Sequence, residues 1–209
     1  MLTADRYLTA SNLDEALGAL AADPGARIIA GATDILPWAR EGRAGDVHIP
    51  TLIDVTRIPD LDGVRRHDGR ITIGANTVIG AFLRSEVLLE AAPVFKHVAV
   101  WFADDQIREQ ATVGGNLVNA SPAADAAPPL VAMAAAVELA GPDGRRTLPI
   151  SEFLLGPGRT GLGREEILVS ISFDDMSGYG SALSIVLLAI LLVVSTGQIW
   201  LLRERGGER

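Results

Sequence analysis

The amino-acid sequence predicts an α+β protein followed by one transmembrane helix, and three observations carry that expectation. The first is a set of short apolar runs bounded by turn residues. Residues 64–66 and 71–74 flank His67-Asp68-Gly69, and 137–140 and 145–148 flank Gly141-Pro142-Asp143-Gly144, two hairpin signals. The second is the helical spacing of apolar residues between such runs, as in Leu13, Ala16, Leu17 and Leu20. The third is the stretch 181–202, SALSIVLLAILLVVSTGQIWLL, which carries no charge. A helix of about 20 apolar residues crosses a bilayer, and this stretch is long enough to do so. Trp200 sits near one edge, where an interfacial aromatic belongs, and Arg203 and Arg205 follow.

The remaining elements follow in order. Ser11 or Asn12 can cap the first helix, with Glu15 in its first turn, and Pro24-Gly25 ends it. Residues 27–30 suit a short buried strand that opens into Gly31-Ala32-Thr33-Asp34 and then 35–40. A strand is expected over 49–55, with Pro50 near its start, and Thr77 can cap a helix through Ile79, Phe82 and Leu83. A helical stretch runs over 87–101, interrupted at Pro93. Pro128-Pro129 precedes an Ala-rich apolar run, 130–136, and 151–155 fits one helical turn. Residues 156–162 form a Gly-rich loop, and 166–173, EILVSISF, alternates as a strand does.

Composition narrows the function. A chain of 209 residues holds one ordinary domain, or two small lobes around a shared core. The net charge of −8 comes from scattered acidic residues, and without a basic stripe nucleic-acid binding is not expected. The absence of cysteine excludes disulfides, thiolate zinc sites and iron–sulfur ligation by this chain. Any relay through an iron–sulfur cluster therefore sits on a partner. A mean hydropathy of +0.28 traces to 181–202. The N-terminus, MLTADRYLTA, lacks the pattern of a signal peptide. His48, His67 and His97 are far apart in the chain, so no metal ligand set is assigned, and no catalytic acid–base or nucleophile stands out.

The most informative stretch is 111–125, ATVGGNLVNASPAAD. Within it, Thr112-Val113-Gly114-Gly115-Asn116 places two glycines between a β-branched pair and an amide. Adjacent glycines permit a turn through φ > 0 and let a ligand approach main-chain N–H groups. Taken alone, the stretch reads first as a Gly-Gly turn joining two core elements. The strand-to-loop step at 27–34 can likewise present N–H groups to a pyrophosphate, or be a plain turn.

Together these segments resemble the FAD-binding medium subunit of molybdenum hydroxylases, the xanthine dehydrogenase and carbon monoxide dehydrogenase type. The resemblance covers residues 1–175 and is most specific at 31–34, Phe102, 112–116 and Asp125. It implies a two-lobed FAD-binding fold of the vanillyl-alcohol-oxidase (PCMH) type, with an N-terminal lobe over 1–56 and a second, truncated lobe over 57–177. The implied cofactor-binding residues are Ile28, Ile29, Ala30, Gly31, Ala32, Thr33, Asp34 and Ile35 in the first segment, where Ala32 replaces the family's second glycine. Thr112, Val113, Gly114, Gly115, Asn116 and Asp125 form the second. Phe102 is implied to pack on the cofactor and Leu168 to contact the flavin; each also fits an ordinary core role. The two loops would hold the pyrophosphate, with Asp125 accepting hydrogen bonds from a ribityl or nearby hydroxyl.

By the same resemblance the chain is an FAD-dependent oxidoreductase subunit. It would take electrons from an iron–sulfur subunit, itself fed by a molybdopterin-containing large subunit, and pass them to an acceptor such as NAD or oxygen. After residue 175 the family's C-terminal domain is missing. Residues 178–209 instead resemble the last transmembrane helix and basic tail of sugar ABC-transporter permeases. The expected localisation is therefore the membrane, single-pass, with the flavin domain cytoplasmic. The competing readings are a fusion or truncated product without redox activity, and a membrane transporter fragment.

Overall fold

The chain opens with a parallel β-α-β unit. Strand β1 (Leu2–Thr9) leads to helix α1 (Leu13–Ala22), and strand β2 (Arg27–Ile29) precedes the short helix α2 (Ile35–Arg40). Asn12 caps α1, its Oδ1 accepting from the Glu15 amide at 2.9 Å, while the Glu15 carboxylate accepts from the Ser11 amide and hydroxyl. Strand β3 (Val47–Asp54) lies between β1 and β2 and pairs with both in parallel. The computed structural model describes residues 1–40 and 47–175, and its first compact unit is Met1–Asp174.

A five-stranded antiparallel sheet follows. Strands β4 (Val64–His67) and β5 (Arg70–Gly74) form the first hairpin, with Asp68 and Gly69 both at positive φ, as a tight turn of this kind requires. A 3₁₀ turn at Ile79–Leu83 leads to helices α3 (Glu86–Ala91) and α4 (Val94–Trp101), separated at Pro93. Helices α5 (Asp105–Arg108), α6 (Val113–Asn119) and α7 (Ala127–Ala132) come next. Strands β6 (Ala136–Gly141) and β7 (Gly144–Pro149) make the second hairpin. The one-turn helix α8 (Ile150–Phe153) and the ribbon of β8 (Leu154–Gly156) and β9 (Arg159–Thr160) precede the last described strand, β10 (Ile167–Asp174).

Strand β10 runs through the middle of the order β4-β5-β10-β6-β7. It is buried on both faces. Leu168, Ile171 and Phe173 join a core with Phe82, Phe95 and Phe153, whereas Ile167 and Val169 join a second core with Ala16, Leu20 and Ile53 from the parallel sheet. A register shift between Leu168 and Ser170 marks a bulge, so the residues facing the larger core pass from Leu168 to Ile171. One strand thus carries apolar side chains into both cores, and burial of such side chains contributes about 1.5–3 kcal/mol each.

Several expectations change. The two glycines of the central stretch do not turn through positive φ; they lie in the first turn of α6, because Thr112 is extended and its Oγ1 accepts from the Gly115 amide at 3.1 Å as a helix cap. Thr77 caps nothing. It is buried and its hydroxyl donates to the Gly63 carbonyl at 3.2 Å. Strand β1 has no alternation to announce it, since 3–7 are all exposed, and its pairing depends on β3 some 45 positions away. The apolar run at 130–136 divides between α7 and β6 at Ala134, which adopts a left-handed backbone.

The expected single-pass membrane localisation is corrected. Among the described residues no helix is long and apolar enough to cross a membrane. The stretch 181–202 that motivated it, and the tail's likeness to a permease, lie outside the described residues.

Candidate functional site

Loops from the two sheets meet backbone to backbone. Beyond β2, the Val55 amide donates to the Ile29 carbonyl at 3.1 Å, and the chain then passes Gly31. A Cβ at Gly31 would fall on the carbonyl oxygen of Gln110, in the loop between α5 and α6. The 110–114 loop is strapped in turn to the segment after β5. The Ile79 amide donates to Ala111 O at 2.8 Å, Val113 N to Thr77 O at 2.9 Å, and Gly114 N to Ala75 O at 2.8 Å. Asn76 completes the joint. It is buried, and its Nδ2 donates to the Val55 carbonyl at the end of β3 at 2.5 Å.

This joint forms part of the wall of a cleft of about 660 Å³. Of the residues named from the sequence, Ile28, Ile29, Ala30, Gly31, Ala32, Thr33, Asp34, Ile35, Phe102, Thr112, Gly114, Gly115, Asn116 and Leu168 all line it. Val113 and Asp125 do not: Val113 is fully buried in the larger core, and Asp125 is exposed beyond the cleft lining. The two glycines have different tasks. Gly114 is buried, and a Cβ there would come within 2.7 Å of the Ala75 Cβ and carbonyl oxygen. Gly115 is exposed in the cleft wall, and its Cβ would meet only Thr112 Oγ1, at 3.0 Å.

Asn76, Trp38 and Glu166 also line the cleft but were not assigned from the sequence. Asn76 could have been found, because the polar pair Asn76-Thr77 directly follows a strand in a position where the chain must still be buried. Nothing local distinguishes Trp38 or Glu166. Asn116 turns its Oδ1 to the Ala126 amide at 3.3 Å, which fixes the side chain at the mouth of the 116–126 segment. The Gly158 amide donates to Ala120 O at 2.8 Å and closes the far side of that segment.

Ala32 has φ 54°, a left-handed backbone that costs an L-residue roughly 1–2 kcal/mol. Ala32→Gly is therefore expected to stabilise the protein by about 1 kcal/mol. A rise in the urea midpoint at constant m would register it; an unchanged midpoint would mean that the loop holds no strain there.

Charge in the cleft is sparse. Its ionisable lining residues are Arg27, Asp34 and Glu166. Partial burial pushes the Asp34 carboxyl above the usual carboxylate range. Glu166 shifts the other way: its hydrogen bonds from Arg146 hold it low, against the opposing effect of burial. Arg146 reaches it through Nε at 2.6 Å and Nη2 at 2.7 Å, and the Gly163 amide adds a third donor at 2.5 Å. A folded pKa below the unfolded value gives stability that is present above the unfolded pKa and is lost as pH falls through the folded one. Glu166→Gln should thus lower the melting temperature at pH 7 and flatten the acid limb of its pH profile. Parallel wild-type and variant profiles, differing by a constant offset at every pH, would contradict this.

Among the described residues the cleft is apolar-walled with polar loops and is lined by no histidine or lysine, a lining suited to binding and orienting a ligand. Such a lining fits a cofactor-binding module. Residues 3–173 match the family described as the FAD binding domain in molybdopterin dehydrogenase, and the chain belongs to that family. It is 36% identical over 155 residues to the carbon monoxide dehydrogenase medium chain of Hydrogenophaga pseudoflava, covering 74% of this chain and 52% of that one. It is 33% identical over 168 residues to the xanthine dehydrogenase FAD-binding subunit of Escherichia coli O157:H7, covering 80% and 56%.

Among solved structures, the carbon monoxide dehydrogenase of Hydrogenophaga pseudoflava superposes with a TM-score of 0.78 at 30% identity, over 84% of this chain and 60% of that one. Quinoline 2-oxidoreductase from Pseudomonas putida 86 follows with a TM-score of 0.77 at 25% identity and the same coverage. The expected cofactor, FAD, and the expected family, the FAD-binding subunits of molybdenum hydroxylases, are borne out by this membership. The chain spans about half the length of the curated relatives it matches. The family match ends at residue 173, short of the tail.

Proposed function

We propose that this chain holds FAD in the cleft and serves as the flavin-carrying redox subunit of a molybdenum hydroxylase-type complex. The observation that carries the reading is the convergence of 28–35, leaving the parallel sheet, and of Thr112, Gly114, Gly115 and Asn116, at the start of helix α6, on one cleft of about 660 Å³. In this reading 1–56 and 57–177 are the two lobes of a vanillyl-alcohol-oxidase-type fold, and FAD lies between them.

The residues present suit that ligand. Ile28, Ile29, Phe102 and Leu168 offer apolar contact to ring systems, and the Thr33 hydroxyl, the Asn116 side chain and the main-chain amides of 31–34 offer donors to the pyrophosphate. Gly115, without a side chain, allows close approach. Asp125, outside the lining, would reach a ribityl hydroxyl only through solvent or a partner group. When bound, FAD supplies electron transfer between a donor and an acceptor. The protein's part is to orient it, exclude water from its apolar portion and leave an edge accessible.

No cysteine is available to ligate a cluster, so electrons would enter from an iron–sulfur subunit, fed by a molybdopterin-containing large subunit, and leave to an acceptor such as NAD or oxygen. The test is the visible spectrum of the purified full-length chain, with the released chromophore identified. One FAD per folded chain is the expected result. A folded, colourless chain that takes up no added FAD would overturn the reading and favour a product without redox activity.

A further inference from the structure

We infer that Arg108 is a positioning residue for FAD binding, acting through Phe102; the inference rests on the proposal that the cleft holds FAD. Arg108 does not line the cleft, but Phe102 does. Phe102 stands at the C-terminal end of α4, half-buried, with its amide donating to Val98 O at 3.0 Å and Ala99 O at 3.3 Å. Beyond it Ala103 adopts a left-handed backbone, φ 39°, so the chain reverses at once. Nothing in the local sequence favours that geometry, since alanine gains nothing from a positive φ.

Arg108 over-determines it. Its side chain is 14% exposed, and Nη1 donates to three carbonyls at the end of α4: Ala99 at 3.1 Å, Phe102 at 2.7 Å and Ala103 at 3.1 Å. Nη2 donates to Asp105 Oδ1 at 2.5 Å. A cation at a helix C-terminus is favoured by the carbonyl dipoles, and charge-assisted bonds are stronger than neutral ones. The buried Nε has no partner among the described residues. The guanidinium is therefore committed to the backbone of 99–103 even at the expense of one of its own donors. A surface arginine that merely solvates would not accept that arrangement. Its consequence is that the Phe102 ring is held at one place in the cleft wall.

The test uses the full-length chain with Arg108→Met, Arg108→Lys, Phe102→Ala and the Arg108→Met/Phe102→Ala double variant, each titrated with FAD. Hydrogen exchange at the Phe102 amide is followed in the absence of flavin. Arg108→Met is expected to lose protection at that amide and to bind FAD about tenfold more weakly, equivalent to about 1.4 kcal/mol. Arg108→Lys should recover part of both, since an ammonium can still donate to the clustered carbonyls. The double variant should bind no worse than Phe102→Ala, because both changes remove one contact. Unchanged FAD affinity in Arg108→Met, or losses that simply add in the double variant, would overturn the inference. A wild-type chain that takes up no FAD would instead overturn the reading of the cleft.

Discussion

Gly31→Ala is expected to lower the unfolding free energy by about 3 kcal/mol and to abolish FAD retention with it. The added Cβ would fall on the carbonyl oxygen of Gln110 and within 2.6 Å of the Gln110 carbonyl carbon. Both are main-chain atoms, so no rotamer change relieves the clash. The Gln110 backbone cannot retreat easily, because Ala111, Val113 and Gly114 are bonded to the 75–79 segment on its far side. The strain would pass to the joint between the parallel sheet and the five-stranded sheet, where Asn76 also bonds Val55 O. A small methyl group is enough for the experiment. A urea midpoint and flavin content like those of the wild type would show that the two loops do not touch as described.

How much of this was legible beforehand differs by element for physical reasons. The hairpins were readable because their turns are local: Asp68-Gly69 and the segment from Gly141 to Gly144 carry their own backbone requirement. Helix α1 was readable from its Asn12 cap and Leu spacing, and β10 from its apolar alternation, although its double-sided burial and bulge were not. Strand β1 was invisible because its partner is distant and its own side chains are exposed.

In the cleft, the loop segments 28–35 and 112–116 stood out through glycine and small polar residues, which mark close backbone approach. The same signal misled on conformation. The pair Gly114-Gly115 invites a positive φ, yet Thr112 supplies a cap and the helix starts there instead. Glu166 and Trp38 enter the cleft through tertiary packing that no neighbouring residue announces. Arg108 has an acidic partner, Asp105, but three of its four hydrogen bonds go to carbonyls at the end of α4, which nothing in the neighbouring sequence announces.

The contrast between the glycines yields the second large effect. Gly115→Val is expected to abolish FAD retention, with affinity falling at least about a hundredfold, roughly 2.7 kcal/mol, while stability changes by less than about 1 kcal/mol. Gly115 is exposed in the cleft wall, at the third position of α6, so a branched side chain projects where a ligand would approach the main chain. On the protein side the new Cβ would meet only Thr112 Oγ1, at 3.0 Å, a contact that a shift of a few tenths of an ångström relieves. Valine is also a better helix residue than glycine, which offsets part of that crowding. Binding and folding are therefore separable at 115 and inseparable at 31. Measuring both quantities in both variants tests the site directly: loss of flavin from a chain that melts like the wild type places Gly115 against the cofactor, whereas full flavin content in Gly115→Val would remove the 112–116 loop from the binding site.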